Sequence, residues 1–247
     1  MGAKFEKGKF NLTPYYEVPA LPTKGKAYPE GSRVFYRLYT MREAVEVQSM
    51  TKVYDLVRYA LEGIKTEGME KEDLFMADFL FVSLLRAGSS GAVTHFKVET
   101  TCVNCGEEMV TEVPIESAYV DDLEELRRYV PIEGTNIQVV LEAQRVGRFL
   151  EAMSIQEREP GNEEIVYAAI PVVGVKQGNE EISLSVSEAI ELMSELPQYV
   201  VTENQEFFSS SAARAVVEAE CHKCSFVNKV PITQEEGLAL IKPFRKT

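Results

Sequence analysis

Two short stretches, CVNCGEEM (residues 102–109) and ECHKCSFV (residues 220–227), decide how this chain folds. Each contains two cysteines separated by two residues, and the 247-residue chain has only these four cysteines. Four thiolates arranged in two such pairs are a typical ligand set for a structural Zn²⁺ ion, which is bound tetrahedrally. The predicted metal ligands are therefore Cys102, Cys105, Cys221 and Cys224, in the spacing C-x2-C-x115-C-x2-C.

The two cysteine pairs belong to an internal repeat. VETTCVNCGEEMVTEVPI (98–115) and VEAECHKCSFVNKVPI (217–232) share a Val-Glu, the C-x-x-C and a closing Val-Pro-Ile. The period-two pattern around each pair predicts a strand, a tight turn that holds the cysteines, and a second strand. Gly106 suits such a turn because glycine tolerates a positive φ, whereas Ser225 takes the matching place in the second copy. We interpret the two hairpins as halves of one zinc ribbon.

Other uses of the cysteines fit the sequence less well. Iron in a rubredoxin-like site is chemically compatible with four thiolates, so it stays as an alternative to zinc. Two local disulfides are disfavoured in a reducing cytoplasm, and unrelated buried cysteines would not repeat the same spacing. A metal bound by four cysteines has no open position for water or substrate, so we expect a structural site. We expect His222, inside the second turn, to be solvated, and His95 to be a surface or interface residue.

The rest of the chain divides by composition into regions that predict an α+β protein, with helices packed around the ribbon. The predicted regions are an extended arm (1–33), a strand plus helices (34–91), the first hairpin (92–115), a mostly helical insertion (116–212), and the second hairpin with a C-terminal helix (213–247). The arm is rich in Gly, Pro and Lys and should be ordered only where it lies on something. A disordered terminus is the alternative for the arm.

Several helices have clear start signals or apolar faces. Thr40 with Glu43 predicts a capping box for MREAVEVQSM, and the apolar residues from Val53 to Ile64 recur at helical spacing. EKEDLFMADFLFVSLLRAGSSG (70–91) is apolar on nearly every side, which is typical of a buried central helix. Its two polar exceptions, Asp78 and Arg86, should each hold a neighbouring loop.

The insertion contains weaker signals. DDLEELRRYV (121–130) is interpreted as a short helix, NIQVVLE as a strand and AQRVGRFLEAMSIQE as a helix. EEIVYAAIPVVGVK is ambiguous between helix and strand, and SVSEAIELMSELP predicts a helix capped by Ser185 or Ser187. TQEEGLALIKPF predicts a short helix at the end of the chain.

Charge and motif content exclude several function classes. The net charge of −13 argues against binding to a phosphate backbone. The predicted ribbon is itself acidic, with Lys97, Lys223 and Lys229 against Glu99, Glu107, Glu108, Glu112, Glu218 and Glu220. We find no run of about 18 apolar residues, no signal peptide, no phosphate-binding loop and no catalytic triad. We therefore expect a protein that is not an enzyme, binds no nucleic acid and spans no membrane.

The order of features resembles the baseplate hub family of T-even-like contractile-tailed bacteriophages. The resemblance starts at L-P-x-x-G-x-x-Y (Leu21, Pro22, Gly25, Tyr28), continues through an amphipathic helix and LFMADFLFVSLLRAGSSG, and reaches C-V-N-C. It covers roughly residues 19–115 and extends to the second cysteine pair, but the middle insertion does not match.

This resemblance implies a structural subunit of the tail baseplate hub, located in the virion and in the host cytoplasm during assembly. The implied partners are other baseplate and hub proteins, with the tube initiator, the spike and the tape-measure protein as candidates, and a trimer as a candidate oligomer. The alternatives are a non-virion assembly factor for the hub and, third, a cellular zinc-ribbon adaptor. Within the arm, residues 14–33 are the predicted partner-binding segment, through Tyr15, Tyr16, Leu21, Pro22 and Tyr28.

Overall fold

The structure is a computed structural model that describes residues 13–26, 28–90, 95–114, 117, 119–120, 125–211 and 215–232. Across these residues the chain forms helices α1 (Met41–Ser49), α2 (Val53–Glu62), α3 (Met76–Ser89), α4 (Val146–Arg158), α5 (Glu163–Ala169), α6 (Val186–Glu195) and α7 (Gln198–Ser211). One turn of 3-10 helix, Lys71–Asp73, precedes α3. None of these helices is both long enough and apolar enough to cross a membrane.

The strands of the described residues form four separate sheets. They are β1 (Tyr15–Glu17), β2 (Arg33–Arg37), β3 (Ile64–Glu67), β4 (His95–Thr101), β5 (Glu108–Pro114), β6 (Tyr119–Val120), β7 (Arg127–Pro131), β8 (Ile137–Glu142), β9 (Val172–Gln177), β10 (Glu180–Ser183), β11 (Ala215–Glu220) and β12 (Val227–Ile232). The strand orders are β1-β2-β3, β10-β9-β8-β7, β12-β11-β6 and β4-β5. All of these pairings are antiparallel, and the predicted α+β class is confirmed.

Helix α3 lies at the centre of the molecule. Its residues are buried on nearly every side, as expected for a helix that is apolar all round. Phe79 and Leu80 pack in one large cluster with residues of α1, α2, α4 and the β1-β2-β3 sheet. Near the end of α3, Leu84 and Ala87 instead pack against Val98 of β4 and residues of β5 and β11. One helix therefore connects the main core to the two cysteine hairpins.

The strongest local signals in the sequence are confirmed. Thr40 caps α1 and exchanges both hydrogen bonds of a capping box with Glu43. Ser185, rather than Ser187, caps α6 in the same way with Glu188. The predicted strand NIQVVLE is found as β8, and AQRVGRFLEAMSIQE contains α4.

Two element predictions are wrong. Residues 70–75 are not part of the central helix, because this segment bonds to another part of the chain: Met76 N donates to Gln144 O (2.7 Å) and Val146 N donates to Leu74 O (2.8 Å). Within the helix predicted at residues 121–130, residues 127–130 instead belong to strand β7, which pairs with β8. In both places a long-range backbone pairing outweighs local helix propensity.

The ambiguous segment EEIVYAAIPVVGVK contains both elements, since α5 is followed directly by β9. The insertion thus combines four helices, α4 to α7, with the sheet β10-β9-β8-β7 among its described residues. The predicted helix TQEEGLALIKPF lies outside the described residues.

Candidate metal centre

Each cysteine pair lies in the turn of a β-hairpin. β4 pairs with β5 as far as Thr101 and Glu108, and β11 pairs with β12 as far as Glu220 and Val227. The first turn is closed by Cys102 N donating to Glu107 O (2.8 Å) and by Gly106 N donating to Cys102 O (2.9 Å).

The second turn repeats this pattern. Cys221 N donates to Phe226 O (2.9 Å) and Ser225 N donates to Cys221 O (2.8 Å). Gly106 has a φ of 71° and Ser225 a φ of 56°, so both turns use the left-handed conformation at the same step. Glycine adopts this conformation at little cost, whereas serine adopts it under strain. The internal repeat of the sequence is therefore also a repeat of backbone structure.

The two turns bring the four sulfur atoms together. All four lie within 4.8 Å of one another. The Sγ atoms of Cys102 and Cys224 are 3.7 Å apart, and those of Cys105 and Cys221 are also 3.7 Å apart. A disulfide requires about 2.05 Å, so the four cysteines are free thiols. A tetrahedral metal with M–S bonds of about 2.3 Å separates its sulfur ligands by about 3.8 Å, so the cluster can hold one such ion.

The thiols have unequal surroundings. Cys102 and Cys221 are buried, Cys224 is half-buried and Cys105 is exposed. Burial acts to raise the pKa of the Cys102 thiol, but hydrogen bonds from backbone N–H groups and from Asn228 outweigh it and lower this pKa to about 6.

Cys105 shifts in the opposite direction. The backbone N–H of Glu107 stabilises its thiolate, but burial and the three neighbouring thiols outweigh that bond and raise the pKa of Cys105 to about 12. A cation among the four sulfurs would favour deprotonation of all of them, since metal binding releases thiol protons.

Asparagine side chains support the turns. Asn104 Nδ2 donates to Cys224 Sγ (3.5 Å), and Asn228 Oδ1 accepts from Val103 N (3.0 Å). Sequence reasoning did not identify either asparagine. The available signal for Asn228 was a polar residue at an inward-facing position of a strand, four residues after Cys224.

Charged side chains surround the second turn. Lys223 Nζ bonds to Glu107 Oε2 (2.6 Å), which links the two turns at the surface. The His222 side chain is 69% exposed, as predicted for a solvated residue, and its Nε2 is 3.9 Å from Glu107 Oε1. His95 is also exposed.

Asp78 holds a neighbouring loop, as predicted, whereas Arg86 bonds to the end of strand β2 and to helix α2 and not to the predicted loop. Asp78 is fully buried and accepts from Thr23 N (3.0 Å), Thr23 Oγ1 (2.6 Å) and Tyr28 Oη (2.5 Å). Burial raises the pKa of Asp78, although these hydrogen bonds oppose the rise. Arg86 donates to Arg37 O (2.8 Å) and Ala60 O (3.3 Å).

The predicted partner-binding residues fall into two groups. Pro22 is buried, while Leu21 and Tyr28 are partly buried against the main core, so these three contact the chain itself. Tyr15 and Tyr16 lie on edge strand β1 and are 43% and 44% exposed. Of these five residues, the two tyrosines of β1 are therefore the most exposed.

The fold and the site define the class: a small α+β protein in which two hairpins pack against the end of the central helix and bring four cysteines together. A family model described as "T4 bacteriophage base plate protein" matches residues 13–235, and the chain belongs to this family. No curated protein and no solved structure matches the chain significantly. The resemblance seen in the sequence is confirmed: this is a structural bacteriophage baseplate protein, which works among other baseplate components.

Proposed function

We propose that this chain is a structural subunit of the baseplate hub and that a structural Zn²⁺ ion on Cys102, Cys105, Cys221 and Cys224 holds its two hairpins together. The family match supports this proposal most directly, because residues 13–235 include both cysteine pairs. The hub position comes from the order of sequence features at the arm, the buried helix and the first C-x-x-C. Membership of a bacteriophage baseplate family argues against the hypothesis of a cellular zinc-ribbon adaptor.

The sulfur geometry supports a zinc ribbon. Four thiolates complete a tetrahedron and leave no coordination position for substrate, so the ion would stabilise structure and not catalyse. Cys102 and Cys224 are 122 residues apart in sequence, so the ion would close a long loop and fasten both ends of the insertion. Iron could occupy the same four thiolates and is the chemical alternative.

Metal analysis tests this part of the proposal. Untagged protein, purified under reducing conditions without chelators, should contain about one zinc per chain by inductively coupled plasma mass spectrometry. Cys102→Ser and Cys221→Ser should lose the metal and much of the thermal stability, because a missing ligand removes most of the folding contribution of the ion. Ser225→Gly is the matched control, since it changes the same turn but no ligand. Protein without metal, or cysteine variants with unchanged stability, would contradict the ribbon.

The partner contacts would be made through protein surfaces. Tyr15 and Tyr16 present two aromatic rings on an edge strand, and exposed aromatic residues are favoured at interfaces. We place the contact to another hub component here, with the tube initiator, the spike or the tape-measure protein as candidates. A trimer would match the position of the hub on the tail axis.

Mass spectrometry of mature phage particles tests the hub role. Peptides such as EDLFMADFLFVSLLR at a few copies per particle would identify a hub subunit that stays in the virion. Absence from particles, together with abundance in infected cells, would instead support the assembly factor. Host-cell lysate collected before particle release is the control for both readings.

A further inference from the structure

Asn228 links the two cysteine turns without any metal. It lies on β12, and its side chain is buried, with 3% of the residue exposed. Its Oδ1 accepts from Val103 N in the first turn (3.0 Å). Its Nδ2 donates to Phe226 O (3.1 Å) and Ala219 O (3.3 Å) in the second hairpin. One amide group therefore joins backbone groups that belong to opposite halves of the repeat.

Within the repeat, this backbone link starts from the second hairpin; Asn104 of the first turn also crosses, but its Nδ2 donates to Cys224 Sγ (3.5 Å) and not to the backbone. Asn228 follows Cys224 by four residues, and the residue that follows Cys105 by four is Met109. Met109 Sδ lies 3.6 Å from Asn228 Nδ2, so the two equivalent positions meet between the hairpins. A thioether has no N–H to donate and cannot bond the second turn as Asn228 bonds the first. At this pair of equivalent positions, only the Asn228 amide bonds backbone groups of both hairpins.

These bonds fix the spacing of the turns that carry the sulfur atoms. A buried amide is costly unless its groups are paired, and both the oxygen and the nitrogen of Asn228 are paired here. Val103 follows Cys102 directly, and Phe226 O also accepts the hydrogen bond that closes the second turn. A shift of one hairpin against the other would break this set of bonds.

We propose that Asn228 is the positioning residue of the metal centre, which holds the four cysteines at ligand spacing before the ion binds. The proposal rests on the proposed metal-binding function of the cluster. Second-layer residues that orient metal ligands typically change metal affinity by about 10- to 100-fold when replaced. We expect Asn228→Ala to lower the affinity for Zn²⁺ within that range.

A matched control separates positioning from simple loss of stability. Asn204 on α7 is also a buried asparagine, with 1% exposed, and its Nδ2 donates to Ala168 O (2.7 Å) within the insertion. Asn204→Ala should lower the thermal stability of the protein but leave its Zn²⁺ affinity unchanged.

Zn²⁺ affinity would be measured by competition with a chromophoric chelator, and ligand geometry by the absorption spectrum of the Co²⁺-loaded protein. Weaker Zn²⁺ binding and an altered Co²⁺ spectrum in Asn228→Ala alone support the proposal. Equal affinity in Asn228→Ala and Asn204→Ala overturns it. If the wild-type protein itself takes up no Zn²⁺ or Co²⁺, the proposed metal function fails first, and this inference fails with it.

A second measurement does not depend on whether Asn228→Ala folds. Metal would be removed from the wild-type protein with a chelator, and amide hydrogen exchange followed at Val103. Continued protection of the Val103 amide in the metal-free protein supports positioning before metal binding. Exchange at the rate of an unstructured amide would show that the ion creates the spacing, and would overturn the proposal.

Discussion

The hydroxyl of Tyr28 offers the sharpest test of how the N-terminal segment is held on the central helix. Tyr28 Oη donates to Asp78 Oδ2 (2.5 Å) and accepts from Phe75 N (2.9 Å), at the residue that precedes α3. Tyr28→Phe keeps the ring, which lies 5.7 Å from the ring of Phe75, and removes only the oxygen. The variant therefore leaves a backbone N–H unpaired and takes one donor from a buried carboxyl.

The cost follows from these two lost bonds. Removing one partner of a buried hydrogen bond costs about 1–3 kcal/mol, so we expect a loss of about 2 kcal/mol. In a chain of this length, 1 kcal/mol lowers the Tm by about 2–4 °C, which gives a decrease of about 4–8 °C. Tyr36→Phe is the control, because the hydrogen bond between Tyr36 Oη and Ser89 Oγ is exposed. Its effect should stay within about 0.5 kcal/mol.

The assay is calorimetric and urea-induced unfolding of both variants, followed by a double-mutant cycle with Asp78→Asn. If Tyr28 acts through Asp78, Tyr28→Phe should lower the free energy of unfolding less in Asp78→Asn than in the wild-type protein, by about 0.5–3 kcal/mol. Equal Tm values for Tyr28→Phe and Tyr36→Phe, or additive effects in the cycle, would refute this account of the contact.

Three further outcomes follow from the structure. Burial opposes ionisation of Glu43, but hydrogen bonds from an arginine and from the helix cap lower its pKa to about 2. Its ionised form therefore stabilises the fold above about pH 4.5, and this contribution is lost as the pH falls towards 2. In Glu43→Gln, stability measured by circular dichroism should therefore fall less between about pH 4.5 and pH 2 than in the wild-type protein. An equal fall in both proteins would contradict this. A Cβ at Gly63 would lie 2.1 Å from the Arg86 guanidinium, so Gly63→Ala should lose about 1–3 kcal/mol or more in urea unfolding. In the metal-loaded protein, Ser225→Gly should raise the free energy of unfolding by up to about 1 kcal/mol, and Gly106→Ser should lower it by about as much. If Ser225→Gly lowered it and Gly106→Ser raised it in urea unfolding, backbone strain would be excluded as the cause.

Signals contained within a few neighbouring residues could be predicted from the sequence. The two helix caps need only a Ser or Thr with a Glu three residues later, and both capping boxes are present. The cysteine pairs are equally local, and the identical spacing in two copies indicated that they meet. Asp78 and Arg86 were found because charges on an otherwise apolar helix must be paired when they are buried.

The remaining features depend on pairings between distant residues. The start of α3 is set by backbone bonds to residues 144 and 146, which no window around residue 75 contains. β7 is a strand because it pairs with β8, although its sequence is rich in charged residues. Asn228 could not be assigned a role from sequence, since its partner Val103 lies 125 residues away.

The packing also explains why this chain would need a metal at the hairpins and not elsewhere. The main core joins α1, α2, α3 and α4 in one large apolar cluster, and the cysteine hairpins contribute nothing to it among the described residues. The hairpins contact α3 through a much smaller cluster around Leu84 and Ala87. Among the described residues, the cluster between the hairpins consists of Cys102, Met109, Ala219 and Cys221, with Cys224 and Val230 partly buried against them. So little apolar burial stabilises a pair of short hairpins only weakly, since isolated hairpins are marginal in water. A bound ion and the Asn228 amide would supply, at one point, the cohesion that the rest of the protein obtains from its core.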